Sequence, residues 1–381
     1  MNMSEFLSRK GVDLPSVVTG VEAAVGLHAD DVLLGVGSIV EGLGNSKSDI
    51  DLLLITARDQ RELPSRDELG LVISRCLIDL RILRTSWIDE VIGRLRRCGQ
   101  ARWAVTHPVT FTPDERSLLH RLLHGRVLNG VRQAQIEARM PPRADLARLK
   151  LQVARQMGRT IQVDMVGYWE SGDYRSLVFA AQELLGHAVD ALTAGYGLTN
   201  PTPKWRHRLL DLLPASWAHA LVLRPTQASA SQQYWRLHRA PAEPDERTAL
   251  EHAFRIATFT RAVFAWAEGH LVGPSRPIWQ PDPWPALARR PDDILLPYLD
   301  FDVDFAFGED RVTLARLNEF GETVEVTPRE LAVTLLCDGT TTAREAEALL
   351  QAGDGAAAAP RVGQLLTRLE QASFTVPAMS R

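Results

Sequence analysis

The sequence predicts an α+β protein in three parts: a small α/β unit with a mixed sheet, then a helical bundle, then a small mixed unit at the C-terminus. Three observations carry that expectation. Residues 1–105 interleave short apolar runs with helical patterns: "DVLLGVGSIV", "DIDLLLIT" and "RCLIDLRILRT" read as strands, and "SRDELGLVISR" between them reads as a helix. From about residue 113 to 272 the period changes. "RADLARLKLQVARQMGRTIQVDMVGYWESG" and "RSLVFAAQELLGHAVDALTAGYG" place apolar residues at helical spacing and end on Gly, as an amphipathic bundle does. Residues 273–294 are dense in Pro and Trp and read as a linker, because proline at that density breaks regular structure. Beyond it, "RVTLARLNEFGETVEVT" predicts a β-hairpin turning at Phe320-Gly321, followed by two or three helices and a terminal strand. That element order suits a small winged-helix unit. The expected division is therefore 1–112, 113–272, a linker over 273–294, and 295–381.

Bulk properties narrow the function classes. A chain of 381 residues exceeds one ordinary core. With 24% charged residues and a net charge of −4, it carries no global basic field, so nucleic acid is disfavoured as a partner. The clusters "RLRRCG" and "KWRHRLL" are too short to track a nucleic-acid backbone. Cys76, Cys98 and Cys337 form no metal-binding or disulfide spacing, which fits a reducing cytoplasm. No secretory leader and no membrane span are expected from the apolar pattern.

The chemistry concentrates in "LLGVGSIVEGLGNSKSDIDLLLI", residues 33–55. On a strand Asp49 and Asp51 project to one face while Ile50, Leu52 and Leu54 project to the other. Two carboxylates so close raise each other's pKa, and a hard divalent cation such as Mg²⁺ relieves the repulsion while leaving coordination places for phosphate. The alternative is a pair of acids facing solvent at a sheet edge. Upstream, Gly37-Ser38 ends a strand, with Gly42 and Gly44 close behind. Glycine lets backbone amides approach phosphate oxygens, and a serine hydroxyl adds a donor. Asp79, in "LIDLRIL", is positioned to present a third acid from a neighbouring strand; its alternative role is an edge charge paired with Arg81.

Gly37-Ser38, the Gly-containing spacer, Ser48-Asp49-Ile50-Asp51 with its apolar run, and the later Asp79 together resemble the DNA polymerase beta-like nucleotidyltransferase superfamily over about 50 residues. The resemblance implies that Gly37, Ser38 and Ser48 contact the triphosphate. It also implies that Asp49, Asp51 and Asp79 hold two Mg²⁺ ions, Asp79 joining one metal or acting as base. The middle stretch "AAQELLGHAVDALTAGYGLTNPTPKWRHRLL" is similar to the small-molecule branch, the antibiotic nucleotidyltransferases, in which a helical domain closes the cleft. Within it Lys204 follows the Pro-bounded turn "NPTPKW", where a basic side chain could reach a β- or γ-phosphate or simply be solvated beside Trp205. Glu183 and Asp190, seven residues apart on one helix face, could bind substrate amines, but solvation is the expected state of both.

At the C-terminus, "DGTTTAREA" predicts an Asp338-Gly339 turn and a second helix capped by Thr340 to Thr342 with Glu345 in its first turn. It resembles the PqqD-like peptide-recognition domains, which implies binding of a peptide by strand addition; a packing or dimerisation module is the alternative. The expected activity is transfer of a nucleoside monophosphate, AMP from ATP, to a small molecule or peptide in a natural-product pathway. Two other functions are kept open: a noncatalytic nucleotide- and peptide-binding partner, and a toxin-antitoxin style adenylyltransferase acting on a folded protein.

Overall fold

A computed structural model describes residues 1–59, 63–100, 111–129, 140–224, 226–272, 284, 287–318, 321–351 and 362–378. The architecture is mixed α/β, rich in helix, with one five-stranded mixed sheet. By its contacts the chain divides into two compact units: Met1–Trp103 with Thr110–Leu146 and Thr199–Trp205, and the remainder, chiefly Ala147–Leu198 and Arg206–Arg381. This differs from the expected division at 112 and 294. Residues 113–146 and 199–205 complete the N-terminal unit, and the C-terminal segment shares a core with the bundle. The Pro/Trp-rich stretch expected as a linker lies largely outside the described residues; Trp284 within it is partly buried against the bundle core.

The first unit begins with α1 (Met3–Lys10) and α2 (Leu14–Val25), followed by β1 (Val32–Val36), the single turn α3 (Gly37–Val40) and β2 (Ile50–Thr56). Then come β3 (Glu68–Ile73), β4 (Cys76–Arg84), α4 (Thr85–Gln100), α5 (Pro113–His124) and β5 (Arg126–Val127). The sheet order is β3-β4-β2-β1-β5; β2 and β4 run parallel and the other pairs antiparallel. Ile50, Leu52 and Leu54 line one face with Ile78, Leu80 and Ile82, covered by Phe6, Leu7, Val17 and Val21 of the first two helices. Each such burial contributes about 1.5–3 kcal/mol relative to exposure, so the alternation holds the register and with it the face on which Asp51 lies.

"SRDELGLVISR" is a strand and its hairpin turn, correcting the helix expected there. Leu69, Leu71 and Ile73 pack against the core while Glu68 and Val72 are exposed, a period of two, and Gly70 disfavours helix. Ser74 and Arg75, with φ of 49° and 66°, form the two-residue connection that joins Ile73 to Cys76, the left-handed pair a twisted hairpin requires.

The second unit is built on α6 (Arg143–Glu170) from Ala147 onward, α7 (Tyr174–Gly195), the short α8 (Arg206–Leu210), α9 (Ala230–His238) and α10 (Glu246–Leu271). Its C-terminal part has β6 (Tyr298–Leu299), the antiparallel sheet β7-β8-β9 (Val303–Phe307, Val312–Arg316, Thr323–Val326), α11 (Pro328–Leu335), α12 (Ala343–Gln351), α13 (Val362–Gln371) and β10 (Thr375–Val376), which pairs with β6. The expected hairpin corresponds to β8 and β9, although Phe320 lies outside the described residues; β7 is an additional strand. The capping box of α12 is as the sequence suggests, Thr342 Oγ1 accepting from Glu345 N at 3.1 Å and Glu345 Oε2 from Thr342 N at 2.8 Å.

One continuous apolar cluster runs from Leu151 and Phe264 in the bundle to Phe301, Leu331 and Phe374 at the C-terminus. Buried ions cross the same boundary. Arg155, 1% exposed, donates to Asp304 Oδ1 at 2.9 Å and to the carbonyl of Phe305 at 3.0 Å, and Arg159 donates to Asp304 Oδ2 at 2.6 Å. Arg261 donates to the carbonyls of Leu299, Asp300 and Phe301. Asp190, expected to be solvated, is instead paired with Arg206 at 2.6 Å, while Glu183 is exposed as expected. Among the described residues no helix is long and apolar enough to cross a membrane.

Candidate functional site

Register places the acids. β2 and β4 are parallel with Asp51 and Asp79 as Cα partners, so both side chains leave the same face of adjacent strands. Asp49 stands one residue before β2. On the other side of β2, Val36 is the antiparallel partner of Asp51, and Gly37 follows it immediately. Gly37 has φ +76°, and a Cβ added there would lie 2.1 Å from Asp51 Oδ2. The carboxylate therefore rests against the backbone of the Gly37-Ser38 turn, a position open only to glycine.

Asp51 is partly buried in this setting. Burial pushes its carboxyl up to about 6; Arg121 opposes the shift, the Asp49 and Asp79 charges add to it, and Lys204 opposes it. Arg121 Nη2 donates to Asp51 Oδ1 at 3.3 Å. Asp79 is exposed, and its expected alternative partner is engaged elsewhere: Arg81 makes a two-pronged pair with Asp114, at 2.7 and 2.6 Å.

Arg121 is presented by α5, a helix with strong end signals. Thr112 and Glu115 form a capping box, Pro113 opens the first turn, and Arg121 and His124 occupy the last turn, where the Arg121 cation favours the helix dipole. The same turn anchors the segment that carries Lys204. His120 Nδ1 lies 2.9 Å and His124 Nε2 3.3 Å from Thr199 Oγ1, and Asn200 Nδ2 donates to Glu41 Oε2 at 3.0 Å. His120 Nε2 approaches Glu41 Oε2 to 3.0 Å without the alignment of a hydrogen bond. Burial and the neighbouring His120 push the His124 imidazole down to about 4, so at neutral pH it is uncharged. The Glu41 carboxyl sits below its usual range: burial raises it, but the imidazoles and Asn200 outweigh that effect.

Of the residues expected from the sequence, Gly37, Ser38, Asp49, Asp51, Asp79 and Lys204 all belong to this one unit. Lys204 Nζ lies over the Trp205 ring, 5.1 Å from its centre, and is exposed. The Ser48 hydroxyl accepts from Asn45 N at 3.0 Å and closes the turn before Asp49, which leaves its own proton free to donate. Among the described residues no group of three or more His, Cys, Asp and Glu side chains is drawn together tightly enough to hold a metal ion. The donor set nevertheless suits Mg²⁺, which binds through one or two carboxylates and completes its shell with water and phosphate. Arg121, Glu41, His120, His124 and Asn200 were absent from the sequence reading. The one available signal was the basic last turn of α5, "LHRLLHG".

No protein-family model, no curated protein and no solved structure matches this chain.

Proposed function

We propose that the protein is a Mg²⁺-dependent nucleotidyltransferase that moves a nucleoside monophosphate, AMP from ATP, onto a hydroxyl or similar nucleophile of a small molecule or peptide. The observation that carries this reading is the contact of Asp51, in register with Asp79, against the glycine of the Gly37-Ser38 turn. It brings an acid pair and a phosphate-binding type of turn to one spot. In this reading Asp51 and Asp79, with Asp49, hold the metal. Bound Mg²⁺ supplies the positive charge that favours in-line attack at the α-phosphate and departure of pyrophosphate. The chain's own contributions are the Ser38 hydroxyl as a donor to phosphate and the cations of Arg121 and Lys204, which offset the triphosphate's charge. The elevated Asp51 carboxyl agrees with a cluster short of positive charge: a cation would return it to the ionised form. A peptide as acceptor rests on the C-terminal resemblance alone.

The test is incubation with each of the four nucleoside triphosphates, Mg²⁺ and an extract of the producing cells, followed by mass detection of a nucleoside-monophosphate adduct and assay of pyrophosphate. The expected result is an adduct with ATP that is lost in Asp49→Asn and Asp51→Asn. Nucleotide binding without pyrophosphate release would identify a noncatalytic nucleotide-binding protein instead, and an adduct on a folded protein would identify a protein adenylyltransferase.

A further inference from the structure

Asp51 rests against the backbone of Gly37, and the charge of Lys204, from a distant part of the chain, also acts on it. The turn and the lysine are joined by a second route, a path of hydrogen bonds that bypasses Asp51. Glu41 N donates to the carbonyl of Gly37 at 3.1 Å, and Asn200 Nδ2 donates to Glu41 Oε2 at 3.0 Å. Thr202 N then donates to Asn200 Oδ1 at 2.9 Å, and Trp205 N to the carbonyl of Thr202 at 3.1 Å. Lys204 lies inside the last of these turns. Every residue on the path belongs to the first unit.

Each end of the path is held for its own reason. At the first, the Ser38 carbonyl accepts from Leu43 N and Gly44 N, both at 2.8 Å, and a Cβ added to Gly44 would meet Ile39 Cγ1 at 2.9 Å. These are backbone contacts, so the turn closes whatever side chain stands at position 41. At the second, Thr199 and Asn200 are buried, and Thr199 Oγ1 lies within reach of both His120 Nδ1 and His124 Nε2. Lys204 itself is exposed on a flexible stem, so the place of its ammonium depends on the backbone beneath it.

The Glu41 side chain is the joint between the two ends. It is 10% exposed, and His120 and Asn200 keep it ionised against the effect of burial. A buried carboxylate is costly unless it is partnered, and α3 closes through the Glu41 backbone N–H without it. What the carboxylate adds is the connection to 199–205.

We infer that Glu41 is a positioning residue for nucleotide: through Asn200 its carboxylate fixes the backbone under Lys204 relative to the Gly37-Ser38 turn, so that turn and lysine meet the same triphosphate. The inference rests on the nucleotidyl-transfer reading and adds to it a residue that touches no substrate.

Two measurements on the full-length protein test it. Without nucleotide, amide hydrogen exchange over 199–205 is expected to quicken roughly tenfold in Glu41→Ala and in Asn200→Ala, with residues 37–44 changed by no more than about threefold. With ATP and Mg²⁺, calorimetry is expected to show binding weakened roughly tenfold in each variant, the scale of a charge-assisted hydrogen bond. In a Lys204→Ala background either substitution is expected to weaken ATP further by no more than about twofold, because the contact it misplaces is already gone; a general loosening of the fold acts equally in both backgrounds. Asn200→Ala, which leaves His120 beside Glu41, carries the test where Glu41→Ala fails to fold. Unchanged exchange over 199–205, or a loss of ATP affinity that persists in full without Lys204, overturns the inference. An unmutated protein that binds no ATP overturns the nucleotidyl-transfer reading and this inference with it, an outcome told apart because the parent itself then fails.

Discussion

Asp51 and Asp79 are Cα partners on parallel strands, and the positive charges facing Asp51 come from outside the sheet, from Arg121 on α5 and from Lys204. The strand pair therefore concentrates negative charge that helices and a connecting segment only partly offset.

Replacing Asp51 exposes this imbalance. With its folded carboxyl raised to about 6 from an ordinary 3.8, Asp51 contributes stability that is present in acid and lost as pH rises through about 6. The difference sets a ceiling of about 3 kcal/mol at pH 7, with the opposing Arg121 charge already counted in it. His124 acts oppositely: lowered to about 4, it contributes stability that is present above its ordinary 6.5 and lost as pH falls through about 4. Asp51→Asn is expected to be more stable than the parent at pH 7 and to lose that advantage by pH 4, while His124→Gln removes part of the acid lability. Urea midpoints of the three proteins between pH 4 and 7.5 check both signs, and an Asp51→Asn variant less stable than the parent at pH 7 contradicts the first.

Gly37→Ala is expected to damage the site through geometry rather than charge. A left-handed conformation costs a residue with Cβ about 1–2 kcal/mol, and here the added methyl also displaces the Asp51 carboxylate. The unfolding midpoint should fall and transfer activity should drop about as far as in Asp51→Asn. Full activity would mean that the Gly37–Asp51 contact is dispensable.

Ser38→Ala and Ser48→Ala are expected to separate. Ser48 closes a turn, so its loss should appear in thermal unfolding, at about 1 kcal/mol, with the KM for ATP nearly unchanged. Ser38→Ala should raise the KM severalfold at unchanged stability. Steady-state kinetics beside calorimetry distinguish the two, and the reverse pattern would exchange their roles.

Ending the chain at Val272 is expected to give an insoluble or molten second unit. The cut takes Asp304 and the Phe305 carbonyl from buried Arg155, leaving it Glu268 at 3.5 Å, and strips buried Arg261 of its carbonyl partners, which costs several kcal/mol per under-compensated ion. It also removes a large part of an apolar cluster. Near-ultraviolet circular dichroism and solubility of the shortened chain provide the check. A soluble, well-ordered product would show that the bundle has a sufficient core of its own.

The acid pair could be read from the sequence because the signal is local: Asp51 interrupts a continuous buried apolar run, Asp79 an alternating one, and the parallel register aligns them. β3 was misread because its run is short and its turn, Ser74-Arg75, lacks the glycine or asparagine that usually marks such a hairpin. Arg121 and Asn200 were illegible for a different reason. They meet Asp51 and Glu41 across 70 and 159 residues of chain, and a basic or amide side chain on a well-formed helix or loop carries no local sign of its distant partner. Likewise the Pro-rich stretch suggested a tether, although the apolar faces of α11 and α13 find their partners in the bundle's own core.

The order in which the polypeptide leaves the ribosome acquires meaning from these long loops of contact. Translation delivers units from the N-terminus at roughly 5–20 residues per second. The first unit nevertheless lacks the 199–205 segment until α6 and α7 have been made, and α10, although it packs on α7, leaves Phe254 without its stacking partners Tyr298 and Phe301 until the C-terminal part emerges. Nascent chains of this protein therefore expose part of an apolar helix face for several seconds, a window in which cellular chaperones have their natural substrate.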